Sequence, residues 1–173
     1  MVLRLKEAGI PHALIGAGAM AAHGVSRSTF GVDLLVTDVG ILSEAFWMSS
    51  TADGTAVDVR RGDLDDPLAG VVRFRATGER TLDLVVGRFG WQRDLLARAT
   101  RIQNGGPSIP VVRLADLILL KLYAGGPQDA WDITQLLALG GVVDTAAEVE
   151  RSLAQLPSES RALWTRIVSQ VRN

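Results

Sequence analysis

The sequence predicts an α/β (α+β) protein, with a mixed β-sheet core, flanking helices and a helical C-terminal part in a single domain spanning 1–173. Three observations carry this expectation. Short apolar runs bounded by glycine and polar turns recur through the first two thirds of the chain. Longer apolar stretches with helical spacing fill the last third. One of the early runs also leads directly into Gly16-Ala17-Gly18, a small-residue segment that opens a helix. The sheet-rich part is expected over 10–113 and the helical part over 114–173.

Taken in order, residues 3–8 end a helix that Gly9 and Pro11 stop, and the apolar run 12–15 reads as a buried strand. A small-residue helix over 19–23 ends at Gly24, and 32–36 (VDLLV) is expected as a central strand. Residues 41–48 are expected as a helix. Two strands, 56–60 and 71–75, flank the polar turn 62–67, and a third, 81–86, is bounded by Gly78 and Gly87. Further on, 114–123 is an apolar helix, which Gly125-Gly126-Pro127 stops before starting the next. Pro127 suits a first helical position and Asp129 the acidic first turn. Thr145 and Glu148 have capping-box spacing for a helix from 145. The final helix is expected over 160–171, with Leu163, Ile167 and Val171 on one stripe.

Composition excludes several function classes. A hydrophobic share of 47% over 173 residues supports a buried core rather than disorder. A net charge of −1 argues against a binder that relies on a broadly basic surface, while leaving room for a local basic groove. No apolar run reaches the roughly 18 residues of a membrane span. The first residues carry Arg4, Lys6 and Glu7 without an apolar h-region, so they do not read as a signal peptide. The absence of cysteine removes disulfides and thiolate chemistry, and two histidines make a zinc site unattractive. A cytoplasmic protein with no membrane association is the default expectation.

Chemistry concentrates in a few places. A strand running into glycines at a helix start leaves backbone N–H groups for a phosphate, although Gly-Ala-Gly equally serves close packing. Asp33 lies inside Val-Asp-Leu-Leu-Val and Asp83 inside Leu-Asp-Leu-Val-Val, both unusual places for a poor strand former. Two carboxylates on neighbouring strands can hold a magnesium ion carrying a nucleoside triphosphate; alternatively both sit on exposed strand faces. Lys121 interrupts an apolar helix, either as a snorkelling side chain or as a phosphate contact. Asp129 and Asp132 share a helix face, and Arg27 and Thr29 precede the Asp33 strand. Arg60, Arg61, Arg73 and Arg75 either flank a groove or are solvated strand edges.

The string from Ala13 through Ala-Ala-His-Gly-Val-Ser-Arg-Ser-Thr to Asp-Leu-Leu-Val36 resembles minimal bacterial nucleotidyltransferases of the polymerase-β-like superfamily. Within these it resembles the AbiEii-like group, associated with toxin–antitoxin and phage-abortive systems. Asp83 falls at that family's third carboxylate, and Lys121-Leu-Tyr-Ala-Gly-Gly-Pro-Gln-Asp129 with Asp132 is similar to its later helical motif. The resemblance spans roughly 10–139. It implies a nucleotidyltransferase fold and Mg²⁺-dependent transfer of a nucleoside monophosphate from a nucleoside triphosphate. Asp33 and Asp83 would be the catalytic metal ligands. Gly16 and Ala17 would form the phosphate loop, with Arg27, Thr29, Lys121 and Asp129 as further nucleotide contacts. The implied partners are the nucleotide, an RNA or other acceptor, and a cognate toxin or antitoxin.

One position departs from the pattern. The first carboxylate of the family's Asp-x-Asp pair falls on Gly31, which supplies no ligand. The alternative implied by that loss is a catalytically inactive protein of the same fold, acting as a nucleotide- or partner-binding module.

Overall fold

The computed structural model describes residues 1–26, 31–48, 54–102 and 109–171. Its chain divides into two compact units, one of Met1–Ala19 with Arg27–Val112 and the other of Met20–Ser26 with Arg113–Asn173.

The first unit is built on a five-stranded mixed sheet, ordered β1-β2-β5-β4-β3. Its strands are β1 (Ala13–Ile15), β2 (Gly31–Val36), β3 (Ala56–Arg61), β4 (Gly70–Arg75) and β5 (Thr81–Val86). β2 and β5 run parallel, and the other neighbouring pairs are antiparallel. β4 shows the expected alternation, with Gly70, Val72 and Phe74 buried and Val71, Arg73 and Arg75 turned the other way. Leu84 and Val86 of β5 and Leu34 and Val36 of β2 continue that buried face through their register.

Two short helical pieces pack on it: a 3-10 turn (Val39–Leu42) and α3 (Glu44–Trp47). Trp47 meets Phe74 edge to face at 4.8 Å, and its indole N–H donates to the Ile41 carbonyl at 2.7 Å. The single helix expected over 41–48 is therefore broken in two. Asp38 accepts from the Gly40 N–H at 2.8 Å to cap the 3-10 turn, and Ser43 is extended between the pieces.

Helix α1 (Val2–Glu7) buries Leu5, and α2 (Gly16–Ala22) follows β1 without a loop. Helix α4 (Gly90–Arg98), unforeseen from sequence, packs on β2 and buries Trp91, Leu95 and Leu96. Gln92 accepts from the Phe89 N–H at 3.0 Å at its start. The outer edge of β1 is covered by 110–112, where Leu14 donates to the Pro110 carbonyl at 2.7 Å.

The second unit is helical: α5 (Leu114–Ala124), α6 (Pro127–Gly140), α7 (Val142–Glu150), a 3-10 turn (Leu153–Gln155) and α8 (Ser158–Val171). Gly125, at φ +62°, ends α5 in the left-handed conformation and Pro127 opens α6, as expected. The expected capping box at 145 is not formed. Helix α7 starts three residues earlier, at Val142, so Thr145 is buried within it and Glu148 pairs with Arg113. The last helix buries Trp164, Ile167 and Val168, leaving Leu163 and Val171 at the margins of that face.

Candidate functional site

The strand register aligns five positions into a single row. Asp58 on β3 lies beside Arg73 on β4, Arg73 beside Asp83 on β5, Asp83 beside Asp33 on β2, and Asp33 beside Ile15 on β1. Lateral partners project from the same side of a sheet, so these residues share the face opposite Val72 and Leu84. Asp33 and Asp83, the two carboxylates singled out from sequence, are thus side by side.

At the β1 end the row meets Gly16, the first residue of α2. Its φ is +61°, and a Cβ there would lie 3.4 Å from that of Asp33 and overlap a carboxylate oxygen. Only glycine permits both the conformation and the approach. Ala17 follows in the same first turn of α2.

An arginine holds Asp83 on the other side. Arg73 Nε donates to Oδ1 at 2.8 Å and Nη2 to Oδ2 at 2.6 Å, a bidentate pair. The Arg73 side chain is 40% exposed and that of Asp83 17%, so water screens the pair, and a coupling of about 1 kcal/mol is expected. The guanidinium pKa is pushed up, first by the hydrogen bond to Asp83 and then by that carboxylate's charge. Burial opposes the rise, while Asp58 and then Asp33 add to it. At the far end of the row, Arg60 Nε donates to Asp58 Oδ2 at 3.2 Å. A cavity of about 110 Å³ lies among Asp58, Arg60, Val71 and Arg73.

No family model matches this chain, and no curated protein matches it in sequence. Solved structures do. The crystal structure of ANT(2'')-Ia in complex with adenylyl-2''-tobramycin is 15% identical, with a TM-score of 0.54 over 89% of this chain and 93% of that one. The solution structure of the antibiotic-resistance factor ANT(2'')-Ia gives 14% and 0.52, over 89% and 88% of the two chains. TM1012 from Thermotoga maritima, described as a candidate nucleotidyltransferase, gives 16% and 0.50 over 78% and 86%. The chain has the nucleotidyltransferase fold.

Within this nucleotidyltransferase fold, Gly31 lies two residues before Asp33 on the same strand face and beside Thr81 of β5. A Cβ at 31 would come within 2.9 Å of the Thr81 carbonyl oxygen. The two parallel strands are therefore fitted to glycine at the very position where the resemblance expects a carboxylate. Neither Asp38 nor Asp58 makes good the missing carboxylate. Asp38 is engaged in capping, and Asp58 sits at the far side of Arg73.

The fold family implies a divalent metal, and the residues present do not fit one as they stand. Both Asp83 oxygens are on the guanidinium, and position 31 has no side chain. Among the described residues, no group of three or more His, Asp or Glu is placed to hold an ion.

The remaining expected contacts are distributed differently. Lys121 and Asp129 belong to the second unit, where Lys121 Nζ lies 2.5 Å from Asp132 Oδ2 and 3.2 Å from Asp129 Oδ1. The Lys121 side chain is 7% exposed, so its ammonium does not snorkel to water but is buried with Asp132 and also reaches the half-buried Asp129, between α5 and α6. Asp129 also accepts from the Gly126 N–H at 2.9 Å, capping α6. Arg27 and Thr29 lie outside the described residues. The residue that sequence reasoning underused is Arg73. A hairpin folded about Gly78 sets 73 opposite 83, so its pairing with Asp83 was available from the positions of the strands and turn.

Proposed function

We propose that this chain is a nucleotide-binding protein of nucleotidyltransferase fold in which metal-dependent transfer has been lost. The observation that carries this is the bidentate Arg73–Asp83 pair beside Gly31. Of the three carboxylate positions that the resemblance requires, one is glycine and another has both oxygens on a guanidinium. Support for a nucleotide as ligand comes from the fold and from Gly16, whose backbone is packed against Asp33. The ANT(2'')-Ia complex, which holds an adenylylated product, gives a nucleotidyl group a precedent in this architecture. The AbiEii-like resemblance adds a setting, in which a cognate toxin or antitoxin is the partner of such a module.

A second reading is favoured by the lateral adjacency of Asp33 and Asp83. In it the chain transfers a nucleoside monophosphate to an acceptor hydroxyl, the oxygen attacking the α-phosphorus as pyrophosphate leaves. One experiment separates the two. The full chain is mixed with each nucleoside triphosphate and Mg²⁺, and both pyrophosphate release and binding of a nonhydrolysable analogue are measured. Stoichiometric binding without release is expected; Mg²⁺-stimulated release would establish the transferase.

A further inference from the structure

We propose that Arg73 is the resident cation of this carboxylate face, occupying the role that a divalent ion has elsewhere in the fold, so that the site is complete without metal. The proposal deepens the reading above by naming what replaces the ion, and it rests on that reading only for the loss of metal dependence.

Three features of the row support it. Arg73 is in register with Asp58 on one side and Asp83 on the other, and Asp33 lies one strand further along. A guanidinium at that point is attracted by three carboxylates at once, and all three raise its pKa. Its Nε–Nη2 edge matches a carboxylate oxygen for oxygen, at 2.8 and 2.6 Å. A metal ion ligated by Asp83 would have to displace this edge and then find other oxygens, and Gly31 offers none. The charge balance agrees: among the described residues of this sheet face, Asp33, Asp58 and Asp83 contribute three negative charges, and Arg60, Arg73 and Arg75 return three positive ones. A face whose carboxylates are matched by arginines is a weak attraction for a strongly hydrated divalent ion.

Removing the guanidinium should therefore create metal affinity rather than abolish it. The probe is Mn²⁺ alone, titrated into the full-length chain without nucleotide and followed by electron paramagnetic resonance and by the melting midpoint. The parent is expected to bind no Mn²⁺ at micromolar concentration and to melt at the same temperature with and without it. Arg73→Gln should melt lower without metal, because carboxylates are left facing one another, and should recover as Mn²⁺ is added. Its Mn²⁺ affinity should exceed the parent's by on the order of tenfold or more, the scale of a displaced charge pair. The added Asp83→Asn change should cancel that gain. Should Arg73→Gln fail to fold, Arg73→Lys replaces the two-pronged contact with a point charge and should still bind Mn²⁺ more tightly than the parent. Micromolar Mn²⁺ binding by the parent would overturn the proposal, as would a folded Arg73 variant with no metal response. Neither titration contains nucleotide, so the pyrophosphate assay can fail without altering this result.

Discussion

At Gly16 the backbone is left-handed and a neighbouring carboxylate fills the space a side chain would take. Gly16→Ala should therefore destabilise the chain by about 1–3 kcal/mol, read as a shift in urea midpoint at unchanged slope. Gly31 is a different case. Its conformation suits any residue, but a Cβ meets the Thr81 carbonyl at 2.9 Å, so β2 and β5 must part slightly to admit one. Gly31→Ala should cost about 1 kcal/mol. Gly31→Asp should cost more, and Mg²⁺ should not restore it while Arg73 still holds Asp83; a Mg²⁺-dependent rise in melting midpoint would count against the arrangement. The sequence marked position 31 as a departure, but a missing ligand is all that a residue type reports. The tight approach of β5 depends on strand register, which no local pattern carries. The pH behaviour of Arg73 has a definite sign. Its folded pKa is raised, so its stabilisation is present below the ordinary arginine range and is lost only as pH climbs through that raised value. The stability gap between parent and Arg73→Gln that this guanidinium contributes should not fade on titration from about pH 7 to 9, as followed by urea unfolding.

Among the elements, α5 and α6 are joined by the most demanding contact in the second unit. Lys121 is buried against Asp132, which is 0% exposed, and Asp129. Lys121→Met leaves two carboxylates without their cation and should cost about 3–5 kcal/mol by urea unfolding. Pairing it with Asp132→Leu should recover much of that loss, since apolar packing can replace a buried ion pair. Element existence was largely legible: all five strands and α5, α6 and α8 follow from apolar runs and their glycine or proline boundaries. Boundaries were less so. Thr145 and Glu148 have the spacing of a cap, yet α7 begins at Val142 because tertiary packing buries Thr145 and Arg113 claims Glu148. The run at 41–48 has helical composition, but the Asp38 cap closes a tight 3-10 turn that takes in its first two residues. Helix α4 was missed although Trp91, Leu95 and Leu96 lie one turn apart, because its polar positions at 92–94 mask a short amphipathic pattern.

For the molecule as a whole, strands give way to helices near residue 113, where the hydrophobic periodicity of the sequence changes. The assignment of nucleotidyltransferase fold rested on motif order and is matched by the solved structures. A chelator should leave the melting midpoint of the parent unchanged, since its carboxylates already have an internal counter-charge; a drop on chelation would reveal an ion bound in the purified protein. The row itself has a further consequence, for how the sheet assembles. It draws one residue from each of β3, β4, β5 and β2, and only the native alignment sets Arg73 between Asp58 and Asp83 while Asp33 stands alongside. A slip of one residue along any of these strands turns its charge to the apolar face, against Val72, Phe74 and Leu84. A slip of two keeps the face but sets a carboxylate beside a neighbour other than the guanidinium. Four charged side chains thus work as a checksum on strand pairing, penalising misaligned sheets during folding whatever the site goes on to bind.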